Sequence, residues 1–427
     1  MRCPQCRGIL APPIGLQRFR CPCGVALSPP QPQVQTTSLP TTRDQIDLSS
    51  IDDIKVAVAA KNSPRPSERG EPLRRGHGAV SDAVAAREHQ RLRMSSGLMD
   101  QSGGWTRSFN DGYVVWNRAG SPDGHNSKAW VRSVGPDNKT LSWRTAQEGY
   151  SVAGMNIPAI YFRMTQETAR QPFSRKLKTF RTEIDRMRVD WNTAHKKITV
   201  RRHNLLEDST QQIMKLAPQN FREIFRFKFA GEPALDAGGV AREWYDQITE
   251  TLFNLDFGLF TFSGTDRFSY TINSYSNIAN EHHLHYFHFA GRLLGKALFD
   301  GQLVEAHLVR PMYKHIIGAP IDLEDMQYCD KETYQSLKYI RDNEDADEVG
   351  VTFSVSRLVF GETIIHDLKP GGRDIEVDDE NKFEYIDLMI KYTMFDSIKP
   401  QLEMLLRGFY EVVPAYLVSV FDFQELE

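Results

Sequence analysis

Residues 31–100 set the first limit on this chain, because they hold too few apolar side chains to build a core. The runs "QPQVQTTSLPTTRD" and "KNSPRPSERGEPLRRGHG" are rich in Pro, Ser and charge, a composition that cannot offset the entropy lost on ordering. They read as a flexible linker. Within them "SDAVAAREHQRLRM" (81–94) offers an N-cap serine and a short helix, marginal if alone. From about 172 to 427 the character reverses: hydrophobic periodicity is continuous and no internal repeat interrupts it.

The bulk numbers remove several function classes. A net charge of −3 over 427 residues argues against nucleic acid as the main partner, since backbone binding needs an excess of Lys and Arg. No apolar run approaches the ~20 residues of a membrane helix, and the N-terminus, broken by Cys, Pro and Arg, is a poor signal peptide. A cytoplasmic or nuclear protein is expected.

Four of the five cysteines, Cys3, Cys6, Cys21 and Cys23, fall in residues 1–30 with the spacing C-x2-C-x14-C-x-C. In a reducing compartment such clustering favours a structural zinc over disulfides. The segment "CRGILAPPIGLQRFRCPCG" resembles the small zinc finger first known from plant lesion-simulating-disease proteins. That family spaces its second pair C-x2-C, so "CPC" departs from it. A piece this small has no core to fold it otherwise.

Residues 101–165 alternate aromatic and β-branched runs ("GYVVWN", "KAWVRSV", "KTLSW", "AIYFRM") with the turn signals "NDG", "SPDG" and "GPDN". This pattern predicts a small antiparallel β-rich module. Trp105 and Trp143 give it a weak likeness to WW domains, although they stand too far apart and no proline follows Trp143. Substrate selection is the task expected of such a module.

Beyond 172 the reading is α+β with helix dominant. "RKLKTFRTEIDRMRVDW" places Leu177, Phe180, Ile184 and Met187 on one helical face, and "NEHHLHYFHFAGRLLGKALF" repeats Leu284, Phe287, Gly291, Leu294 and Leu298 at helical spacing. "KITVRR", "IFRFKF" and "GVTFSVS" read as strands. The pair Gly238-Gly239 in "DAGGVAREW" fits neither dinucleotide nor phosphate-loop spacing, leaving a sharp turn with close helix approach. His282, His283, His285 and His288 read as a polar helix face rather than a metal box, and the basic "HKKITVRRH" as a solvated strand edge.

In this frame "KFAGEPALDAGGVAREWYDQI" resembles a segment near the start of the HECT ubiquitin-ligase domain. "ITVRRHNLLEDS", "YTINSYSNIANEHHLHYFHFAGRLLGKALFDGQLVEAHLVRPMYKHIIG", "DLEDMQYCDKETYQSLKYIRDN", "HDLKPGGRDIEVDDENKFEYIDLMIKY" and "LRGFYEVVPAYLVSVFDFQELE" follow in family order. The likeness spans 172–427 and is nearest in style to the Nedd-four-like branch. It implies the large lobe of that domain, with a subdomain at about 325–388 that holds a ubiquitin-conjugating enzyme in an apolar groove. By motif matching the groove is expected to include Tyr334, Leu337, Val349, Val351 and Tyr385, with Val349 and Val351 on one strand face. The acidic "DNEDADE" (342–348) beside them suits steering of a basic partner or a solvated turn.

The resemblance also implies a cysteine in a smaller carboxy-terminal lobe that takes ubiquitin as a thioester and passes it to a substrate lysine. The sequence ends at "VFDFQELE", where that lobe is expected to begin, so no catalytic residue is assigned. Cys329, without an activating His or Gly-rich turn beside it, reads as a packing residue. The reading that follows is a ubiquitin ligase working with a conjugating enzyme and ubiquitin. Its alternative is a non-catalytic binding protein that sequesters the conjugating enzyme or scaffolds partners through its zinc-finger and β modules.

Overall fold

The computed structural model describes residues 19–20, 26–27, 105–110, 112–118, 129–134, 141–146, 152–232, 237–264, 268–359 and 361–427. It divides into two units, Met1–Arg75 and Gly76–Glu427. The described part of the first is one antiparallel pair, β1 (Phe19–Arg20) with β2 (Ala26–Leu27), Phe19 opposite Leu27. Cys3, Cys6, Cys21, Cys23 and the linker 31–100 lie outside the described residues.

The second unit opens with β3 (Trp105–Asn110), β4 (Tyr113–Arg118), β5 (Ala129–Val134), β6 (Leu141–Ala146) and β7 (Val152–Asn156). They pair as β3-β4-β7 and β5-β6, all antiparallel. Gly112, with φ +82°, lets the "NDG" signal close the tight turn between β3 and β4. Trp105 and Trp116 are wholly buried in the same core as the helices that follow. Trp105 is therefore a core residue and not half of an exposed cradle for proline. "AIYFRM", expected as a strand, instead opens the helix α1 (Ala159–Ala169). Pro158, extended at the N-cap, starts it. Its buried residues Thr165, Thr168 and Ala169 keep helical rather than alternating spacing, and Ile160 is 80% exposed.

There follow α2 (Phe173–Met187), β8 (His195–Val200), α3 (Leu205–Met214), β9 (Ile224–Phe229), α4 (Ala237–Phe253), β10 (Phe260–Phe262), β11 (Tyr270–Ile272), α5 (His283–Asp300) and α6 (Arg310–Ile317). After them come α7 (Lys331–Asp342), β12 (Ser354–Val359), β13 (Glu362–Asp367), α8 (Lys382–Met394) and α9 (Lys399–Val412). β8 and β9 pair in parallel, burying Ile198, Val200, Phe225, Phe227 and Phe229 while His195, Lys197 and Arg226 face out. On α2 the buried set is Lys176, Phe180 and Ile184, the lysine held by Glu425 at 2.8 Å. Gly238 and Gly239 sit exposed in the first turn of α4.

Close approach belongs to α5 and α9. A Cβ on Gly291 would lie 1.9 Å from the Leu405 carbonyl oxygen, and one on Gly408 would lie 2.2 Å from that of His288. Only glycine fits there. Residues 287–293 are all buried, so α5 runs through the core instead of showing it a single stripe.

A second core gathers Ile321, Met326, Leu337, Phe353, Tyr385 and Ile390 with their neighbours. It belongs to a small subdomain that the chain enters after α6 and leaves between α8 and α9. Those two crossings are its covalent links to the main core.

Candidate functional site

The expected site residues converge on the small subdomain, at different depths. Asp330 caps α7, its carboxylate accepting from the Thr333 amide at 3.0 Å and the Thr333 hydroxyl at 2.7 Å. One turn on, Tyr334 lies at the rim of the second core and Leu337 is inside it, 1% exposed. Tyr385 is also inside, 6% exposed and edge-to-face with Phe353 at 5.5 Å. These two hold the subdomain together; a partner cannot reach Leu337.

Val349 and Val351 do not share a strand face. The segment Ala346–Val349 is a short 3-10 turn, ended by Gly350 in the left-handed region at φ +64°, and β12 begins only at Ser354. Acidic side chains in its first turn and a glycine after its last residue are ordinary helix-end chemistry, and this was the signal in "DADEVG". Val349 is 37% exposed, while Val351 packs half-buried on the rim of the second core. Glu344, Asp345, Asp347 and Glu348 around them are exposed. Tyr339 is a residue the sequence reading passed over. Two positions after Leu337 it points to the opposite face of α7, 56% exposed.

Tyr334 donates its hydroxyl to Glu324 at 2.6 Å, and Arg341 reaches the other oxygen of that carboxylate at 3.4 Å. Burial and the Glu324 bond both push the Tyr334 phenol above its usual range. The rim of the subdomain thus offers a fixed aromatic ring, two valines and an acidic border. It holds no acid–base pair or activated nucleophile.

Cys329 is set apart by its own surroundings. Burial, followed by the nearby carboxylates of Asp325 and Asp330, pushes its thiol up to about 12, the reverse of what a nucleophilic cysteine needs. The histidines of α5 separate by role. His283 pairs with the Ser276 hydroxyl at 2.9 Å. His288 is buried and 2.9 Å from Glu411, so it is no part of a solvated face. Burial alone would raise the Glu411 carboxyl, but hydrogen bonds from His288 and Arg292 hold it down to about 2. Among the described residues no group of three or more His, Cys, Asp or Glu is arranged to hold a metal, and no helix is long and apolar enough to cross a membrane.

Residues 246–427 match the HECT-domain (ubiquitin-transferase) family. The chain is 36% identical over 294 residues to E3 ubiquitin-protein ligase Nedd-4 of Drosophila melanogaster, covering 68% of this chain and 28% of that protein. It is 39% identical over 293 residues to human E3 ubiquitin-protein ligase HECW2, covering 68% of this chain and 18% of the relative. With mouse E3 ubiquitin-protein ligase HUWE1 the identity is 40% over 257 residues, 60% of this chain and 6% of the relative. The chain therefore spans less than a third of the length of these relatives. Residues 246–427, which hold α5, α9 and the small subdomain, thus resemble a HECT domain, and the relatives that the chain matches are E3 ubiquitin-protein ligases.

Proposed function

We propose that this chain serves a HECT-type ubiquitin ligase by docking a ubiquitin-conjugating enzyme on its small subdomain. The observation that carries this reading is the build of that subdomain. It has its own core, two chain crossings to the rest, Tyr334 and Val351 packed at the edge of that core, and an exposed Val349 within an acidic stretch. Aromatic and aliphatic groups inside a polar border are the usual make-up of a transient docking patch. The reaction so served is a relay: a ligase thiolate attacks the thioester on the conjugating enzyme, the conjugating enzyme leaves as its thiol, and a substrate amine then takes the acyl group from the ligase. Cys329 is unsuited to the thiolate role, so the part proposed here is docking.

Titration of the chain with a ubiquitin-conjugating enzyme tests this. Val349→Ser removes an exposed side chain, so the melting temperature should hold while affinity falls by about fivefold or more, the effect of losing over 1 kcal/mol at a docking contact. Unchanged affinity in both Val349→Ser and Tyr334→Ala would place the dock elsewhere. A thiol-reversible ubiquitin adduct that disappears in Cys329→Ser would overturn the docking-only role.

We further propose that Cys3, Cys6, Cys21 and Cys23 hold one structural zinc; four thiolates fill its tetrahedral sites. Metal analysis of the full chain should find one zinc, lost in Cys6→Ser; a chain purified under reducing conditions without zinc would refute it.

A further inference from the structure

The docking role leaves β3–β7 without a task, and these strands precede the residues that match the HECT-domain family. Arg107 of β3 anchors them to the carbonyls of Ser419, Val420 and Phe421 and to Asp422, and a second set of contacts reaches the two crossings between the cores. The Trp116 indole donates to the Gly318 carbonyl at 3.1 Å, just after α6. Three residues on, Trp130 and Ile321 exchange both backbone hydrogen bonds, at 2.8 and 2.9 Å, adding β5 as a strand partner to the entering crossing. The Trp130 ring meets Phe395, on the leaving crossing, edge-to-face at 6.4 Å, and the Lys391 ammonium lies over it at 5.6 Å. Arg132 donates to the Tyr410 hydroxyl at 2.6 Å, and that hydroxyl donates to the Ile316 carbonyl.

The alternation of β5 explains how one strand serves both sides. Successive side chains of a strand point to opposite faces. Trp130 accordingly packs on the second core, while Val131, fully buried, belongs to the main one. Between the crossings themselves, His315 Nε2 lies 3.1 Å from the Met394 carbonyl and the His315 ring packs against Phe395. Lys314 and Arg310 also tie the main core to Asp325 of the small subdomain, yet only two chain segments cross between the cores, the arrangement in which one subdomain hinges on another. We propose that β4 and β5 form a strap across this hinge, fixing the angle of the small subdomain to the main core. Through that angle they set the direction in which the docking rim faces; this last clause rests on the docking role.

The angle can be read without any partner. In the full chain, spin labels on non-canonical residues at Glu250 (α4) and Lys338 (α7), both exposed, report the distance between the cores, and a pair at Arg181 and Glu250 serves as an internal control. Trp130→Ala should broaden the Glu250–Lys338 distribution and leave the control pair narrow. Trp116→Phe, which keeps the ring and removes the donor to Gly318, should broaden it less. If Trp130→Ala loosens the control pair as well, Trp116→Phe combined with Arg132→Gln decides. An inter-core distance as narrow as in the parent chain would overturn the strap. Should the conjugating enzyme fail to bind the parent chain while the distance broadens as expected, the docking role falls and the strap stands.

Discussion

Leu337 and Val349 come from neighbouring stretches of one subdomain and carry opposite expectations. Leu337 is enclosed by the second core, so Leu337→Ala should cost about 2–5 kcal/mol through lost burial and the cavity left behind. Denaturant unfolding should show that loss, while the affinity of the remaining folded molecules for a conjugating enzyme stays unchanged. If affinity falls and stability does not, Leu337 is reachable and the packing around it is wrong. Motif spacing brought Tyr334, Leu337, Val351 and Tyr385 to one small region, but spacing says nothing of depth: a leucine one turn from a rim tyrosine fits a groove wall and a core equally well. Cys329 offers a second check at this scale. With its thiol pushed up to about 12, it holds on the order of a thousandfold less thiolate at pH 8 than an ordinary cysteine of pKa about 8.5. Alkylation of the native chain at that pH, read by peptide mass, should leave Cys329 unmodified until the protein is denatured. Rapid native labelling there would mean that the thiol of this half-buried residue is not held protonated.

Among the elements, α5 and α9 show what helical periodicity can and cannot reveal. The repeat of Leu284, Phe287, Gly291, Leu294 and Leu298 predicted a helix, and the helix is present over His283–Asp300. That stripe also predicted one buried face, yet Leu294 and Leu298 are only half-buried while His288, Arg292 and Lys296 are buried. The polar side chains are accommodated because each has a partner: Glu411 for His288 and Arg292, Asp300 and the Phe221 and Glu223 carbonyls for Lys296. Apart from Asp300, one turn from Lys296, these partners are too distant in sequence to mark a local pattern. The same limit explains "AIYFRM", where β-branched and aromatic composition pointed to a strand and Pro158 with tertiary burial of Thr165 and Ala169 decided for a helix. Gly291 was legible only as a position in a repeat; its reason is the Leu405 backbone across the interface. Gly291→Ala should therefore destabilise the chain by at least the ~1–3 kcal/mol typical of overpacking, because the obstructing atom is backbone and cannot rotate away. A melting temperature equal to that of the parent would mean that the two helices can part without cost.

At the scale of the whole molecule, the seam between the two cores carries a fully buried ion pair. Lys314 on α6 meets Asp325, in the turn that opens the small subdomain, at 2.7 Å, and neither side chain is exposed. Arg310 reaches the other Asp325 oxygen at 3.2 Å, and the Phe423 ring covers both cations. Asp322 shares this enclosure and His315 lies beside it on α6. Removing one member of such a pair leaves a buried charge without compensation and costs about 3–5 kcal/mol. That is the expectation for Lys314→Met in denaturant unfolding at pH 7. Asp322 adds a dependence on pH. Burial, and then the charge of Asp325, raise its carboxyl from 3.8 to about 7, against the smaller opposing pull of Lys314. Between those values the folded chain holds a proton that the unfolded chain has released, so this group's contribution is complete below about 3.9 and is lost as pH rises toward neutrality. Glu411 acts in the opposite sense and lower down, its contribution lost as pH falls from the ordinary carboxylate range toward 2. His315, held down to about 3 by burial, acts in the opposite sense over the same window, its contribution growing as pH rises through the ordinary imidazole range. Asp322 is therefore read as a difference: the change in stability from pH 5 to pH 8 should be less favourable in the parent chain than in Asp322→Asn, neutral throughout. Denaturant midpoints at the two pH values measure the difference. An equal change in both proteins would mean that Asp322 is already ionised at pH 5, with Lys314 and Arg310 balancing both carboxylates of the seam.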